Sequence, residues 1–185
     1  MRSQREKVPN RVDESPATTM QKDYARSIGI TLPEGATKSD AKALIDLELD
    51  SDESASEGLK AFAREKGMHF SDYVGNKYLH NLLFDHLELM DKIIFFCFCI
   101  YKSQFDNSEK QILEHPYKEV FQRFGEHYIK DSFFIASMEE YIGEELVAFG
   151  KTEKVTKEGK KKTIYGGSIY TRAYKNAYEY LKTYI

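Results

Sequence analysis

Three side chains that lie close together in the sequence have the chemistry to bind a metal ion. His80, Asp85 and His86 fall within the segment HNLLFDH. Zinc binds histidine nitrogens and carboxylate oxygens, but its ligands usually follow tighter spacings or include cysteine. Because His80 and His86 are six residues apart, they share a helix face poorly. We therefore expect no metal site and no cofactor, and a small metal-dependent nuclease is the least favoured alternative.

The other groups that catalysis could use are two cysteines and a pair of acids. Cys97 and Cys99 lie inside the apolar run IIFFCFCIY, where burial would raise the thiol pKa and weaken the nucleophile. Glu140 and Glu144 are four residues apart and could hold a divalent ion, but such pairs are common on solvated helix faces. The sequence also has no phosphate-binding glycine loop and no dinucleotide fingerprint. We therefore predict a protein that is not an enzyme and has no catalytic residues.

Basic residues are concentrated at the C-terminal end of the 185-residue chain. The net charge is −3, yet residues 151–185 hold nine basic and three acidic residues, which leaves −9 on residues 1–150. A lysine-rich segment followed by a tyrosine-rich helix is typical of proteins that bind nucleic-acid backbones with unpaired bases. The predicted nucleic-acid contacts here are Lys157, Lys160, Lys161, Lys162, Arg172, Tyr174 and Lys175. Alternatively, the tyrosines pack in the core and the lysines only keep the segment soluble.

Capping signals and apolar spacing predict a mainly α fold. Thr18 precedes Gln21 by three residues, and Thr37 precedes Asp40 by three, which are two capping-box spacings. Gly29 fits the left-handed position that ends a helix. A helix pair should therefore occupy residues 18–50.

The remaining elements complete the predicted organisation. A disordered tail covers residues 1–17, and an acidic linker covers 51–56. A larger helical domain then covers 57–185, with one C-terminal β-hairpin at 152–165 and a terminal helix. The longest apolar run is about half of what a membrane-spanning helix needs, so we expect no contact with a membrane.

The loop inside the helix pair has features of a phosphate site. A helix that starts near Lys38 presents backbone N–H groups and the positive end of its dipole. Gly35 would allow a ligand to approach the backbone, and Lys42 lies one turn further along. These features predict nucleic-acid contacts at Gly35, Lys38 and Lys42. A helix hairpin that only packs explains the same residues.

Residues 18–49 resemble the SAP motif, which is a helix pair that binds DNA mainly through its backbone. The similarity consists of an apolar-Gly-apolar triplet that ends the first helix, a glycine-containing loop and a lysine that opens the second helix. The matching positions are Ile28, Gly29, Ile30, Gly35, Lys38, Leu44 and Ile45. The loop is longer than is usual for that motif and contains Pro33 and Glu34. The resemblance implies DNA binding by the helix pair, although docking on a protein is the alternative role.

Charge and the lack of catalytic motifs suggest a partner for the whole chain. A compact body with a charge of −9 could occupy the cationic groove of a nucleic-acid enzyme. Small phage-borne inhibitors of CRISPR nucleases are of this type. We therefore expect a cytoplasmic phage or mobile-element protein, acting in a bacterial host, that inhibits a CRISPR effector nuclease by binding the nuclease, its DNA or RNA, or both. The alternative from the DNA-binding class is a stand-alone SAP-like protein.

Overall fold

The chain divides into two compact units, Met1–Leu79 and His80–Ile185. The structure is a computed structural model that describes residues 12–105, 111–149, 151–165 and 167–185, with side chains left out at 151–154 and 162–168. No helix in these described ranges is long and apolar enough to cross a membrane. Each unit is built from helices.

The first unit begins with the predicted helix pair, α1 (Thr19–Ser27) and α2 (Lys38–Leu49). Thr18 Oγ1 accepts a hydrogen bond from the Gln21 backbone N–H at 3.1 Å, and the Gln21 side chain accepts one from the Thr18 N–H. Thr37 and Asp40 form the same reciprocal arrangement at the start of α2. Both predicted capping boxes are confirmed, since this contact depends only on local sequence.

The residues before α1 belong to this helix pair. Pro16 and Thr37 form an antiparallel bridge, and the Ala17 N–H donates to the Ala36 carbonyl at 2.9 Å. Residues 1–11 of the predicted disordered tail lie outside the described residues. For residues 12–17 the prediction is wrong, because backbone hydrogen bonds hold this extended segment against the residues that open α2.

A second helix pair follows directly, formed by α3 (Glu57–Glu65) and α4 (Asn76–His86). Ser54 bridges Gly75, and the Ala55 N–H donates to the Val74 carbonyl at 3.0 Å. The predicted acidic linker at 51–56 is therefore the extended segment that opens the second pair. Its polar composition suggests a linker, but its backbone groups are paired.

The two helix pairs are copies of one module. Pro16 and Thr37 bridge in the first copy, and residues 38 positions later, Ser54 and Gly75, bridge in the second. The same residue occurs at several equivalent positions, namely Ala17/Ala55, Lys22/Lys60, Ala25/Ala63, Arg26/Arg64, Gly29/Gly67 and Leu44/Leu82. We call residues 12–49 module 1 and residues 50–86 module 2. The division between the two compact units falls within α4.

The second unit is organised around α5 (Leu89–Gln104), which is buried from Phe95 to Tyr101. Helices α6 (Lys118–Tyr128), α7 (Ser132–Glu139), α8 (Glu145–Ala148) and α9 (Arg172–Tyr184) follow, with short 3-10 turns at Ile112–Glu114 and Gly167–Tyr170. Helix α5 contacts α6, α8 and α9. The Phe96 ring meets Phe134, Tyr141 and Phe149 edge to face, with ring centroids 5.0–6.2 Å apart, which is a favourable aromatic geometry.

The predicted fold class requires two corrections. The helix pair is not a small appendage to a larger domain, because it is one of two repeated modules. The packed core of the described residues is formed mainly by helices, whereas the prediction makes a C-terminal β-hairpin a component of the fold. Residues Lys151–Val155 (β1) and Lys161–Tyr165 (β2) pair only as a two-stranded antiparallel ladder. Val155 is 68% exposed, and a single two-stranded ladder is at best marginally stable by itself.

Candidate nucleic-acid interface

The start of α2 does not offer the free backbone N–H groups that the sequence predicts. The Lys38 N–H donates to the Ser15 carbonyl at 2.8 Å, and the Ser39 N–H donates to the Asp13 carbonyl at 3.3 Å. The Asp40 N–H donates to Thr37 Oγ1 at 3.1 Å. Three donors that would hold a phosphate are therefore used by the protein itself, and this corrects the predicted phosphate site.

The two lysines of the predicted site are also engaged. Lys38 Nζ lies 3.4 Å from the Asp13 carboxylate. The pKa of Asp13 is lowered, mainly by hydrogen bonds from Ser15 and further by the Lys38 charge. Lys42 pairs with Asp46 one helical turn away. Gly35 alone is open, with φ of +77° and no atom within 4 Å of the place where a Cβ would stand.

Lys42 faces an acidic cavity rather than a basic one. The cavity has a volume of about 230 Å³ and lies between α2 and module 2. Its wall includes the carboxylates of Asp46, Asp50 and Asp52 beside the Tyr78 ring, over which Lys42 Nζ lies at 6.0 Å. This surplus of negative charge would repel a phosphate, so the cavity does not extend the predicted site.

Ser71, which lines this cavity, makes a hydrogen bond that joins the two modules. Ser71 Oγ donates to the Asp40 carboxylate at 2.6 Å. Burial raises the pKa of Asp40, but hydrogen bonds from Ser71 and Thr37 outweigh that effect and lower it overall. The capping residue of α2 therefore has a second role, which is to hold the loop of module 2.

A second groove, which shares no lining residue with the acidic cavity, lies beside the module 1 loop and contains two cations. It has a volume of about 350 Å³ and is bounded by Lys22 and Arg26 of α1 and by residues 30–36. Sequence reasoning missed these two cations, because each is an ordinary exposed residue of an amphipathic helix. Their recurrence 38 residues later, as Lys60 and Arg64, is the signal that could have singled them out.

The lysines at the turn between β1 and β2 are exposed. Lys157, Lys160 and Lys161 lie in or beside a turn in which the Gly159 N–H donates to the Thr156 carbonyl at 2.9 Å. Gly159 has φ of +75°, which is favourable for glycine. The Lys162 side chain lies outside the described residues. The turn therefore presents three of the predicted lysines to solvent.

Helix α9 buries one of the remaining predicted contacts and leaves others at the surface. Tyr174 is buried, and its ring lies 5.7 Å from that of Phe149, so the prediction that it stacks on a base is wrong. Arg172 lies 3.6 Å from the Asp131 carboxylate and packs over the Phe133 ring. Lys175 is exposed. Of the tyrosines spaced by four, Tyr174 lies on the core face of α9, whereas Tyr170 just before the helix is 64% exposed.

The groups with possible catalytic chemistry are not brought together. His86 Nδ1 lies 3.1 Å from the Leu82 carbonyl, and the His80 ring lies 5.6 Å from that of Phe95. No group of three or more metal-binding side chains forms within the described part of the chain. Glu140 follows α7 and Glu144 precedes α8, so the two acids do not share one helix.

The two cysteines are buried in the core of the second unit. Cys97 and Cys99 are free thiols on α5. Burial raises the pKa of both thiols, and the neighbouring Cys99 raises that of Cys97 further. Both therefore stay protonated near neutral pH, which makes them poor nucleophiles.

Comparisons with protein-family models, with curated proteins and with solved structures found no match. The resemblance of module 1 to the SAP motif therefore stays a prediction. The class that fold and surface define is a helical protein with a repeated helix-loop-helix module and a lysine-rich turn.

Proposed function

We propose that this protein binds a DNA backbone without acting on it chemically, and that the turn between β1 and β2 makes the main contact. The observation that carries this proposal is the exposure of Lys157 and Lys160 at the turn, with Glu158 as the acid between them in the sequence. Lysine ammonium groups at an exposed turn can each approach a phosphate independently, because each is a flexible point charge.

The structure favours contacts to phosphates over contacts to unpaired bases. A surface for single strands combines cations with exposed aromatic rings on which bases stack. Here Tyr174 is buried, and the Tyr178 ring lies against Phe105 and Tyr174. Tyr170 is 64% exposed and keeps one ring of this series at the surface. Because the other two rings are engaged in the protein, we expect charge to supply most of the affinity, and binding should depend little on sequence.

The test compares two double variants that remove the same charge. Lys157→Gln with Lys160→Gln removes two turn cations, whereas Lys118→Gln with Lys130→Gln removes two exposed cations on and beside α6. Affinity for a fluorescent duplex is measured by anisotropy over a series of salt concentrations. Each lost phosphate contact should reduce the slope of log K against log salt by about 0.9.

The slope should therefore fall by about two such decrements in the turn variant, and it should not change in the α6 variant. Equal slopes for the wild-type protein and both variants would overturn the proposal. Equal losses in both variants would also contradict it, because they would show that only net charge matters.

Inhibition of a CRISPR effector nuclease stays a narrower prediction. It requires a complex with the nuclease, which a pulldown against purified effectors would detect. Cleavage of DNA in the presence of magnesium or manganese, abolished by His80→Ala or His86→Ala, would instead support the nuclease alternative.

A further inference from the structure

Two cations occur at the same positions in both modules. Lys22 and Arg26 on α1 correspond to Lys60 and Arg64 on α3, 38 residues further along. In each module the two residues are four apart, so they lie on the same face of the helix. The repeat therefore provides two versions of one arrangement within a single chain.

In module 2 these cations hold carboxylates of the module itself. Arg64 pairs with Asp72 in the loop between α3 and α4. Lys60 Nζ lies 2.8 Å from the Glu57 carboxylate, and the Lys60 side chain is only 8% exposed. The Lys60 hydrogen bond and charge lower the pKa of Glu57. Module 2 thus shows that this helix face binds carboxylates, and that both carboxylates belong to the module itself.

Module 1 lacks the two ion pairs that Glu57 and Asp72 make in module 2. Thr19 replaces Glu57, so Lys22 has no acid one turn before it. Glu34 replaces Asp72, but neither Glu34 nor Lys22 forms an ion pair within the described residues. Arg26 contacts only Asp23 there, at 3.2 Å, and both side chains are mostly exposed.

The loop next to Lys22 and Arg26 also differs from its counterpart in module 2, because it leaves more room for a ligand. Gly35 stands where module 2 has Tyr73, and open space surrounds the position of its missing Cβ. Leu32 and Pro33 complete the wall of the 350 Å³ groove beside Lys22 and Arg26. A ligand could therefore reach the cations and the loop backbone together.

We propose that the groove of module 1 binds one phosphate group of a nucleic-acid backbone between Lys22 and Arg26. The phosphate takes the place that the Asp72 carboxylate takes beside Arg64 in module 2. Guanidinium groups bind carboxylates and phosphates through the same paired hydrogen bonds, which makes one anion a fair guide to the other. The identity of the anion as backbone phosphate rests on the proposed function, but the site itself does not.

The first test is a loss of binding. Lys22→Gln with Arg26→Gln should weaken affinity for a labelled DNA duplex about tenfold and reduce the salt slope by one to two contacts, each about 0.9. The matched control is Arg64→Gln, which removes an arginine from the equivalent position of module 2 and should leave affinity unchanged. Melting temperatures of all variants confirm folding, since both module 1 side chains are exposed.

The second test is a gain of binding. Asp23→Asn frees Arg26 from its helical partner, so affinity for the duplex should rise. Asp72→Asn is the control, because it frees Arg64 while Glu57 still holds Lys60 and Tyr73 still stands in place of Gly35, so affinity should not rise. Inorganic phosphate alone, titrated while the Arg26 Nε–Hε NMR signal is followed, should shift that signal in the wild-type protein.

The outcomes separate this site from the turn. If the Lys157 and Lys160 variant loses binding while the Lys22 and Arg26 variant binds as the wild type does, the groove proposal fails and the proposed function stands. If phosphate shifts the Arg26 signal but neither variant affects DNA, the groove binds an anion that is not nucleic acid, and the backbone assignment fails. An unmoved Arg26 signal overturns the site.

Discussion

Modules 1 and 2 have the same backbone but use their charged residues in opposite ways. Both join an extended segment to the residues before the second helix, and both end the first helix at a left-handed glycine, Gly29 or Gly67. Module 2 neutralises its helix cations internally through Glu57 and Asp72. Module 1 leaves Lys22 and Arg26 toward solvent and neutralises Lys38 instead. Shared backbone geometry therefore determines the positions of the charged side chains, but it does not determine which of them are free to bind a ligand.

The modules also differ in how much core the second helix contributes. Ala41 on α2 and Leu79 on α4 occupy equivalent positions, and both are fully buried. The same place between the helices is therefore filled by one methyl group in module 1 and by a leucine side chain in module 2. We infer that the two modules are not equally sensitive to the same substitution.

The largest expected effect is the truncation of this leucine. Leu79→Ala should lower the free energy of unfolding by about 2–5 kcal/mol, because it leaves a cavity in a site that is fully buried. Ala41→Leu should cost about 1–3 kcal/mol, because module 1 has no space for the added atoms. Urea unfolding followed by circular dichroism measures both. If Ala41→Leu stabilises the protein, module 1 does have space for a leucine at this position, and the inferred difference in packing between the modules is wrong.

The caps of the second helices provide a smaller effect. In module 1, Thr37 caps α2 through its own side chain, whereas Gly75 leaves that role to Asp52, which accepts from the Lys77 N–H at 2.9 Å. Thr37→Ala and Asp52→Ala should each cost about 1 kcal/mol, which is typical of a lost N-cap. Thr31→Ala, an exposed loop substitution, is the control and should change the melting temperature little.

A penalty for Thr37→Ala alone would contradict the assignment of Asp52 as the substitute cap. The geometry argues against that outcome, because a Cβ on Gly75 would collide with the Asp52 carboxylate. Glycine at this position therefore makes room for the carboxylate that caps the helix.

The smallest expected effect is the pH dependence that comes from Glu57, a residue that module 1 replaces by Thr19. The Lys60 hydrogen bond lowers the pKa of Glu57 from its ordinary value of 4.5. A carboxylate with a lowered folded-state pKa stabilises the fold above the unfolded-state pKa, and this stabilisation is lost as pH falls through the folded-state value. Glu57→Gln should therefore destabilise the protein slightly at pH 7 and much less at pH 3. Thr19→Gln is the module 1 control and should show no such difference between thermal melts at the two pH values.

Local features of the fold could be predicted from the sequence. The Thr18 and Thr37 capping boxes depend on residues three apart, and both are confirmed. Burial of the apolar run around Cys97 and Cys99 also follows from composition alone. By contrast, the start of the second module reads as a linker because its composition is polar, while its pairing depends on residues about 20 positions away.

The availability of individual side chains could not be predicted in the same way. Lys38 is neutralised by Asp13, and the two residues are far apart in sequence. Tyrosines spaced by four along α9 fit a surface stripe and a core stripe equally well, so the burial of Tyr174 depends on what packs against that helix. The duplication itself is visible in the sequence, but only when segments 38 residues apart are compared directly.

The constant spacing of the bridges, from Pro16–Thr37 to Ser54–Gly75, has a consequence for how this gene segment can be recombined. Unequal exchange between the two copies would delete 38 residues and fuse Ala36 to Gly75, so that α1 is followed by α4. In this chimera Pro16 would meet Gly75 instead of Thr37, and the Ala17 N–H would keep its acceptor at Ala36. The hybrid would keep the reading frame into the second unit, but it would place Leu79 opposite α1, where module 1 holds the smaller Ala41, so exchange of whole modules preserves the backbone register and not the side-chain fit.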